Sequence, residues 1–162
     1  MNKRLSPYGF REGFRDGVPI GLGYFSVSFG FGILAAGAGL FTLENLLISM
    51  TSLTSAGQVA GVKVLEGVLQ AGAVTAATVV EMLLAQLVIN LRYALMGVAL
   101  TQRLDEDMTV GKRLFYGFFI TDEIFAVSSA KPHPVGPRYF SGLVLTPYIG
   151  WALGTLLGAV AG

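Results

Sequence analysis

The sequence contains no cysteine, one histidine and few charged residues. Without cysteine the chain can form no disulfide, thiolate metal site or cysteine nucleophile. A lone histidine, His133, excludes a multi-histidine zinc site. Lys, Arg, Asp and Glu together make up 13% of the 162 residues, about half the usual share of a globular domain. The net charge of +1 also leaves no basic stripe for nucleic acid.

The charges that are present are separated by long apolar runs. Hydrophobic residues make up 53% of the chain, and residues 17–43, 45–62 and 139–162 carry no charge at all. Runs of this length match the roughly 20 residues that a helix needs to cross the core of a bilayer. The sequence therefore predicts an all-α, polytopic protein embedded in the lipid bilayer, with no metal or cofactor expected.

The apolar pattern predicts a single membrane domain, residues 1–162, with about five transmembrane helices. Its predicted segments are an interfacial N-terminal helix at 1–17 and spans at 18–40, 43–62, 68–100, 114–129 and 139–161. Residues 68–100 are too long for one upright helix at a rise of about 1.5 Å per residue. We expect either a tilted helix with an extended end or a half-helix, 68–80, joined to a full helix, 82–100.

Lys and Arg predict the orientation of the chain. The positive-inside rule places the N-terminus in the cytoplasm, because four basic residues flank it: Lys3, Arg4, Arg11 and Arg15. Five simple crossings would then put Arg103, Lys112 and Arg113 on the opposite side, against the rule. The conflict disappears if 43–62 or 68–100 is broken or re-entrant, so the pattern favours discontinuous helices.

Glycines recur at i, i+4 spacing in the last predicted span. Gly150, Gly154 and Gly158 lie on one face of the predicted helix. Such a face of small residues lets a neighbouring backbone approach closely. We interpret these three residues as helix-packing positions.

Ionisable residues inside the predicted spans are the first candidates for function, since charge in a bilayer is costly and usually marks a pathway or a binding site. Asp122 and Glu123 lie near the middle of the 114–129 span. Adjacent helical positions point about 100° apart, so one acid can face a cavity while the other pairs elsewhere. The pair could bind an ammonium group or a proton. Alternatively, this end of the span is aqueous, or one acid neutralises Arg92.

Other polar residues in the spans are candidates for contacts with a substrate. The guanidinium of Arg92 suits a bidentate grip on a carboxylate, either of a substrate or of a protein acid such as Asp122. Gln86 and Asn90, spaced i, i+4, either line a cavity or join two helices. Gln58 follows a run of hydroxyl residues, where a broken helix would aim backbone groups at a ligand. Hydrogen bonds between helices are the alternative for these hydroxyls.

Five short blocks along the chain form a distinctive combination. They are FRDGVPIGLGY at 14–24, TSAGQ at 54–58, INLRY at 89–93, TDEIFA at 121–126 and WALGTLLGA at 151–159. In content, order and spacing they resemble the AzlC family, the large subunits of branched-chain amino acid exporters. The matching blocks contain Thr121, Asp122 and Glu123, together with Asn90, Arg92 and Gln58. Family members continue beyond the last block, so the resemblance covers roughly the N-terminal two-thirds of such a protein.

The resemblance implies a function in transport. We expect a multi-pass subunit in a bacterial-type cell membrane that exports leucine, isoleucine, valine and, as a further substrate, methionine. Export would be secondary transport coupled to a proton or another ion, with a small AzlD-type membrane subunit as partner. The alternative is a structural or assembly subunit whose partner contains the pathway. We do not expect an enzyme, because two adjacent acids point apart and no second helix offers a catalytic partner.

Overall fold

The structure is a computed structural model and describes residues 5–162, so Lys3 and Arg4 of the predicted interfacial segment lie outside the described residues. The helices are Phe10–Gly37 (α1), Thr42–Thr51 (α2), Ser55–Ala71 (α3), Ala76–Leu100 (α4), Val110–Gly117 (α5), Asp122–Ser129 (α6) and Pro137–Ala161 (α7). A single 3₁₀ turn, Thr101–Arg103, follows α4. Within residues 5–162 no β-strand forms, which confirms the predicted all-α class.

Three of the described helical segments are long and apolar enough to cross a membrane: Phe10–Gly37, Ala76–Arg103 and Pro137–Ala161. The most apolar window of the segment that begins with α4 is only 6% buried. Its large apolar side chains face outward, as expected where lipid or further helices surround a span. The chain is thus an all-α membrane protein.

The first helix differs from its predicted bounds. A separate interfacial helix is expected before a span at 18–40, whereas α1 runs without interruption from Phe10 to Gly37. Pro19 lies inside this helix, where it removes a single backbone donor. The charged first turns and the apolar remainder therefore belong to one element, because no residue between them ends the helix.

Two predicted spans are divided into shorter helices. Residues 43–62 break between α2 and α3, where Ser52 and Thr54 are extended and the Thr54 hydroxyl accepts a 3.4 Å hydrogen bond from the Gly57 amide. Residues 114–129 break between α5 and α6. These breaks confirm that some of the helices are discontinuous.

For residues 68–100 the sequence left two alternatives, and the boundary near residue 81 that one of them requires is not found. The chain instead breaks at Gly72, whose φ of +69° ends α3 in the left-handed region. Glycine adopts this conformation without steric cost, so the helix can end there. Glu81 lies inside α4, because a charged side chain does not by itself interrupt a helix. Ala76–Leu100 is consequently one continuous helix.

The described chain forms two compact units. Unit 1 contains Met1–Tyr24 and Tyr93–Gly150, and unit 2 contains Phe25–Arg92 and Trp151–Gly162. Helices α1, α4 and α7 contribute residues to both units. The largest buried side chains of unit 1 include Tyr139 and Phe140, while Phe31, Ala35 and Val62 form the core of unit 2.

Within each unit, α1 and α7 approach at their glycines. In unit 1, a Cβ added to Gly150 would lie 2.3 Å from the carbonyl oxygen of Gly21. In unit 2, Cβ atoms added to Gly154 and Gly158 would lie 2.3 and 2.1 Å from carbonyl oxygens of α1. No real Cβ fits at these distances, so the three glycines permit backbone-to-backbone packing of the kind seen in membrane helix pairs.

One end of unit 1 gathers segments that are far apart in sequence. The Ser6 amide donates a 3.1 Å hydrogen bond to the carboxylate of Asp105. The Asp105 amide in turn donates to the Val135 carbonyl at 3.0 Å. Arg103 therefore lies at the same end of the unit as the N-terminal flank. Five simple crossings would instead place Arg103 and the N-terminal flank at opposite ends.

Candidate functional site

The two candidate acids of unit 1 lie at the start of a helix. They are expected near the middle of a span, but Asp122 and Glu123 are the first two residues of α6. Thr121 precedes them in an extended conformation and is buried. Because the N-terminal end of a helix carries partial positive charge, it stabilises carboxylates in its first turn. The fold thus offsets part of the cost of two acids in an apolar segment.

Tyr24 of α1 lies beside one of these acids. Its hydroxyl is 2.5 Å from Oγ1 of Thr121 and forms a hydrogen bond with the carboxylate of Glu123. Since a phenol has one proton, the consistent arrangement is that Tyr24 donates to Glu123 and accepts from the Thr121 hydroxyl. The result is a hydrogen-bonded chain from Thr121 through Tyr24 to Glu123.

This arrangement leaves part of the acid pair accessible. Glu123 is exposed and Asp122 half-buried, whereas Tyr24 and Thr121 are buried. The second oxygen of the Glu123 carboxylate can therefore accept a proton or an ammonium group while Tyr24 holds the first. The Glu123 carboxylate could thus bind either an ammonium group or a proton.

Unit 1 also contains an apolar cavity of about 280 Å³ between α4, α5 and α7. Its lining includes Gly97, Leu100, Met108, Ile120 and Phe140. Apolar walls of this kind accept a hydrocarbon side chain.

The candidate residues of unit 2 form hydrogen bonds between helices. Gln58 of α3 donates from Nε2 to the Ser49 hydroxyl of α2 at 3.0 Å. The hydroxyls of Ser49 and Thr155 are 2.6 Å apart, which connects α2 to α7. All three side chains are buried. Gln58 thus links α3 to α2 across the break between them.

The side chain of Asn90 forms hydrogen bonds within its own helix, α4. Its Nδ2 atom donates to the side-chain and backbone oxygens of Gln86, at 3.0 and 2.8 Å. Gln86 in turn donates to the carbonyl of Gly57 at 2.7 Å, so this pair of amides joins α4 to the start of α3. Arg92 lies two residues further along α4, and its side chain is exposed.

The structure therefore brings together some of the predicted residues. Thr121 and Glu123 meet through Tyr24 in unit 1, whereas Gln58 and Asn90 belong to the hydrogen-bonded helix contacts of unit 2. Among residues 5–162, no group of three or more histidine, aspartate or glutamate side chains could share a metal ion.

Sequence reasoning missed three polar residues. Tyr24 lies inside a matching block but attracts no attention, because tyrosine is common in membrane spans. Asn45 and Thr155 lie inside charge-free runs, and both are completely buried. A polar side chain in an otherwise apolar run is the signal that could have indicated them.

A cluster of charged residues lies where α1 meets the linker before α7. The ammonium of Lys131 is 3.0 Å from Glu12 and 2.8 Å from Asp16, and it lies 4.9 and 5.2 Å from the ring centres of Tyr8 and Tyr139. Burial acts to lower the pKa of Lys131, but its hydrogen bonds to Asp16 and Glu12 outweigh that effect and raise the pKa above its ordinary value. The contacts hold this linker against α1 within unit 1.

Comparison with known proteins gives a consistent result. A family model described as AzlC protein matches residues 19–162. The chain is 30% identical over 160 residues to the inner membrane protein YgaZ of Escherichia coli (strain K12), covering 94% of this chain and 61% of that protein. It is also 30% identical over 156 residues to an uncharacterized membrane protein of Archaeoglobus fulgidus, covering 94% and 63%. The chain thus spans about three-fifths of the length of these curated relatives. No solved structure matches it.

Proposed function

The chain belongs to the AzlC family, and from that membership we propose that it is a membrane transport subunit that exports branched-chain amino acids. Export is secondary transport, driven by an ion gradient. The substrates are leucine, isoleucine and valine, with methionine as a further one. The observation that carries this proposal is the hydrogen-bonded acid of unit 1, formed by Glu123 and Tyr24 at the start of a helix within an apolar segment.

The chemistry of an amino acid accounts for the other parts of the proposal. Asp122 and Glu123 of unit 1 bind the substrate ammonium or a coupling proton, and the guanidinium of Arg92, in unit 2, is separately suited to binding a carboxylate. A branched side chain fits the apolar cavity of unit 1 in size and polarity. These roles are binding roles, and we propose no chemical reaction.

The partner and the orientation are further parts of the proposal. We propose that a small AzlD-type membrane subunit completes the exporter. The outward-facing apolar side chains of α4 favour contact with lipid or with such a subunit. Arg103 and the N-terminal flank lie at one end of unit 1. In this proposal that end lies on the cytoplasmic side of the cell membrane, as the positive-inside rule predicts.

Efflux of labelled amino acids tests the function. Cells loaded by feeding dipeptides express this chain alone, with the small subunit, or with the small subunit and the substitution Asp122→Asn. Labelled leucine and valine are followed, with lysine as the control substrate. We expect branched-chain efflux that requires both chains and is abolished by Asp122→Asn, with unchanged protein in the membrane fraction. Normal efflux by that variant would remove Asp122 from the mechanism.

The substitution Tyr24→Phe gives a graded version of the same test. It removes one hydroxyl and leaves the ring, so we expect efflux to fall roughly tenfold through loss of a hydrogen bond to a charged group. Tyr139→Phe is the matched control, because its hydroxyl also donates to a carboxylate, that of Asp16 at 2.7 Å, and not to Asp122 or Glu123. If substitutions at Asp122 and Tyr24 changed only the amount of protein in the membrane, an assembly subunit would be the better description.

A further inference from the structure

Unit 2 contains four buried polar side chains on α2, α3 and α7: Asn45, Ser49, Gln58 and Thr155. Asn45 and Ser49 lie one turn apart on the same face of α2, and Ser49 contacts Gln58 of α3 and Thr155 of α7. None of the four is more than 3% exposed. We call these residues the amide–hydroxyl cluster.

The cluster contains polar atoms that nothing in the described protein satisfies. Both polar atoms of the Asn45 amide and the Oε1 atom of Gln58 make no hydrogen bond within residues 5–162. Asn45 is completely buried and Gln58 is 3% exposed. Because buried polar groups almost always have a partner, these atoms require one that the described protein does not supply.

The chemistry of the cluster favours a cation. Gln58 donates its Nε2 hydrogen to Ser49, which leaves Oε1 available as an acceptor. None of the four side chains is ionised, and each offers a neutral oxygen. Hard cations prefer oxygen ligands. Discontinuous membrane helices coordinate Na⁺ at the point where one half-helix ends, as α2 does at Thr51.

Neither of the two cavities described for unit 2 is lined by the cluster. One lies along a face of α4 from Ala77 to Ile89, and the other lies between Lys63 and Glu81.

We propose that the amide–hydroxyl cluster binds a single Na⁺ ion. Its ligands are Oδ1 of Asn45, Oε1 of Gln58 and the hydroxyl oxygens of Ser49 and Thr155. The Nδ2 group of Asn45 donates to a water molecule that accompanies the ion. Four side-chain oxygens and one water suit a small cation better than K⁺, which takes more ligands. The proposal does not depend on which substrate the protein exports.

The chain contains its own reporter for this site. Trp151 is the sole tryptophan, and it lies one helical turn before Thr155 on α7. It is buried in the same unit as the cluster. Binding of an ion at Thr155 is therefore expected to change the fluorescence of Trp151.

The test measures binding directly, without transport. The full chain in detergent is titrated with NaCl at constant ionic strength, with choline and K⁺ as the replacing cations. Tryptophan fluorescence and retention of ²²Na⁺ are followed. Wild type, Asn45→Leu and Thr155→Val are compared with Thr51→Val, whose exposed hydroxyl bonds only carbonyls of α2 itself.

We expect saturable Na⁺ binding in wild type and in Thr51→Val, loss of binding in Asn45→Leu, and affinity reduced roughly tenfold in the nearly isosteric Thr155→Val. Far-ultraviolet circular dichroism identifies any variant that does not fold. If Asn45→Leu does not fold, the Na⁺ affinity of Thr155→Val decides the test. Absence of saturable binding in wild type would mean that only water occupies the cluster, and would overturn the proposal. Equal binding by all variants, or equal binding of K⁺, would overturn it as well.

Discussion

At the scale of single residues, the charged cluster around Lys131 is the clearest case of sequence-distant side chains that meet. Its partners Glu12 and Asp16 are more than a hundred positions away in sequence, yet they lie within 3.0 Å of the ammonium. The rings of Tyr8 and Tyr139 cover the same ammonium. Each charge is partly solvated, so the cluster stabilises the start of α1 modestly rather than dominating the fold.

The substitution Lys131→Met is expected to lower the free energy of unfolding by about 1 kcal/mol at neutral pH, since the ion pairs are partly exposed. Because the folded protein raises the pKa of Lys131, this stabilisation is fully present below the ordinary pKa of 10.5 and is lost as the pH rises through the folded value. Thermal unfolding in detergent, recorded from neutral to alkaline pH, measures the difference between the two proteins. If the difference in stability between wild type and Lys131→Met did not become smaller above about pH 10.5, the stabilising role of the Lys131 ammonium would be contradicted.

At the scale of elements, the helix breaks depend on local residues. Gly72 ends α3 because it adopts a positive φ, and Thr54 caps the start of α3 with its hydroxyl. Such signals are short-range, so they can be found in the sequence. The break that one of the two alternatives for residues 68–100 placed near Glu81 is not found, because a charge in a span is costly to the bilayer, not to the helix.

The packing of α1 on α7 makes a sharp prediction at this scale. A Cβ added to Gly158 would lie 2.1 Å from the carbonyl oxygen of Phe29, whereas one added to Gly30 meets nothing within 4 Å. Gly158→Ala must therefore push the helices apart, and we expect a loss of about 1–3 kcal/mol. Gly30→Ala is the matched control and should be neutral or slightly stabilising, since alanine is the better helix former.

Unfolding in a mixed-micelle denaturant titration compares the two alanine variants with wild type. Equal stability of Gly158→Ala and Gly30→Ala would show that the close approach of α1 and α7 does not contribute to stability.

At the scale of the molecule, the basic residues give a topological prediction. The N-terminal flank and the linkers around Asp105 and His133 meet at one end of unit 1, through the bonds of Asp105 to Ser6 and of His133 to Tyr8. We therefore expect all three segments to lie on the same side of the membrane, which the positive-inside rule makes the cytoplasmic side.

The absence of native cysteine makes this prediction simple to test. Exposed positions Leu5, Glu106 and His133 are replaced by cysteine one at a time. A membrane-impermeant thiol reagent should label all three in inside-out vesicles and none in intact cells. Labelling of Glu106→Cys from the side opposite to Leu5→Cys would contradict the arrangement of unit 1.

The sequence by itself determined the class of the protein, because apolar runs long enough to span a bilayer leave a helix as the way to satisfy the backbone. It also indicated the broken helices and the family, since both depend on short blocks of residues. The predicted roles of Asp122, Glu123 and Arg92 stay predictions.

Only the tertiary structure decided which polar groups meet. Tyr24 and Glu123 are separated by 99 positions, and Ser49 and Thr155 by 106. No local pattern reports such a pairing, because it depends on how whole helices pack. The same holds for the unsatisfied amide of Asn45, whose burial follows from its neighbours in space rather than from its neighbours in sequence.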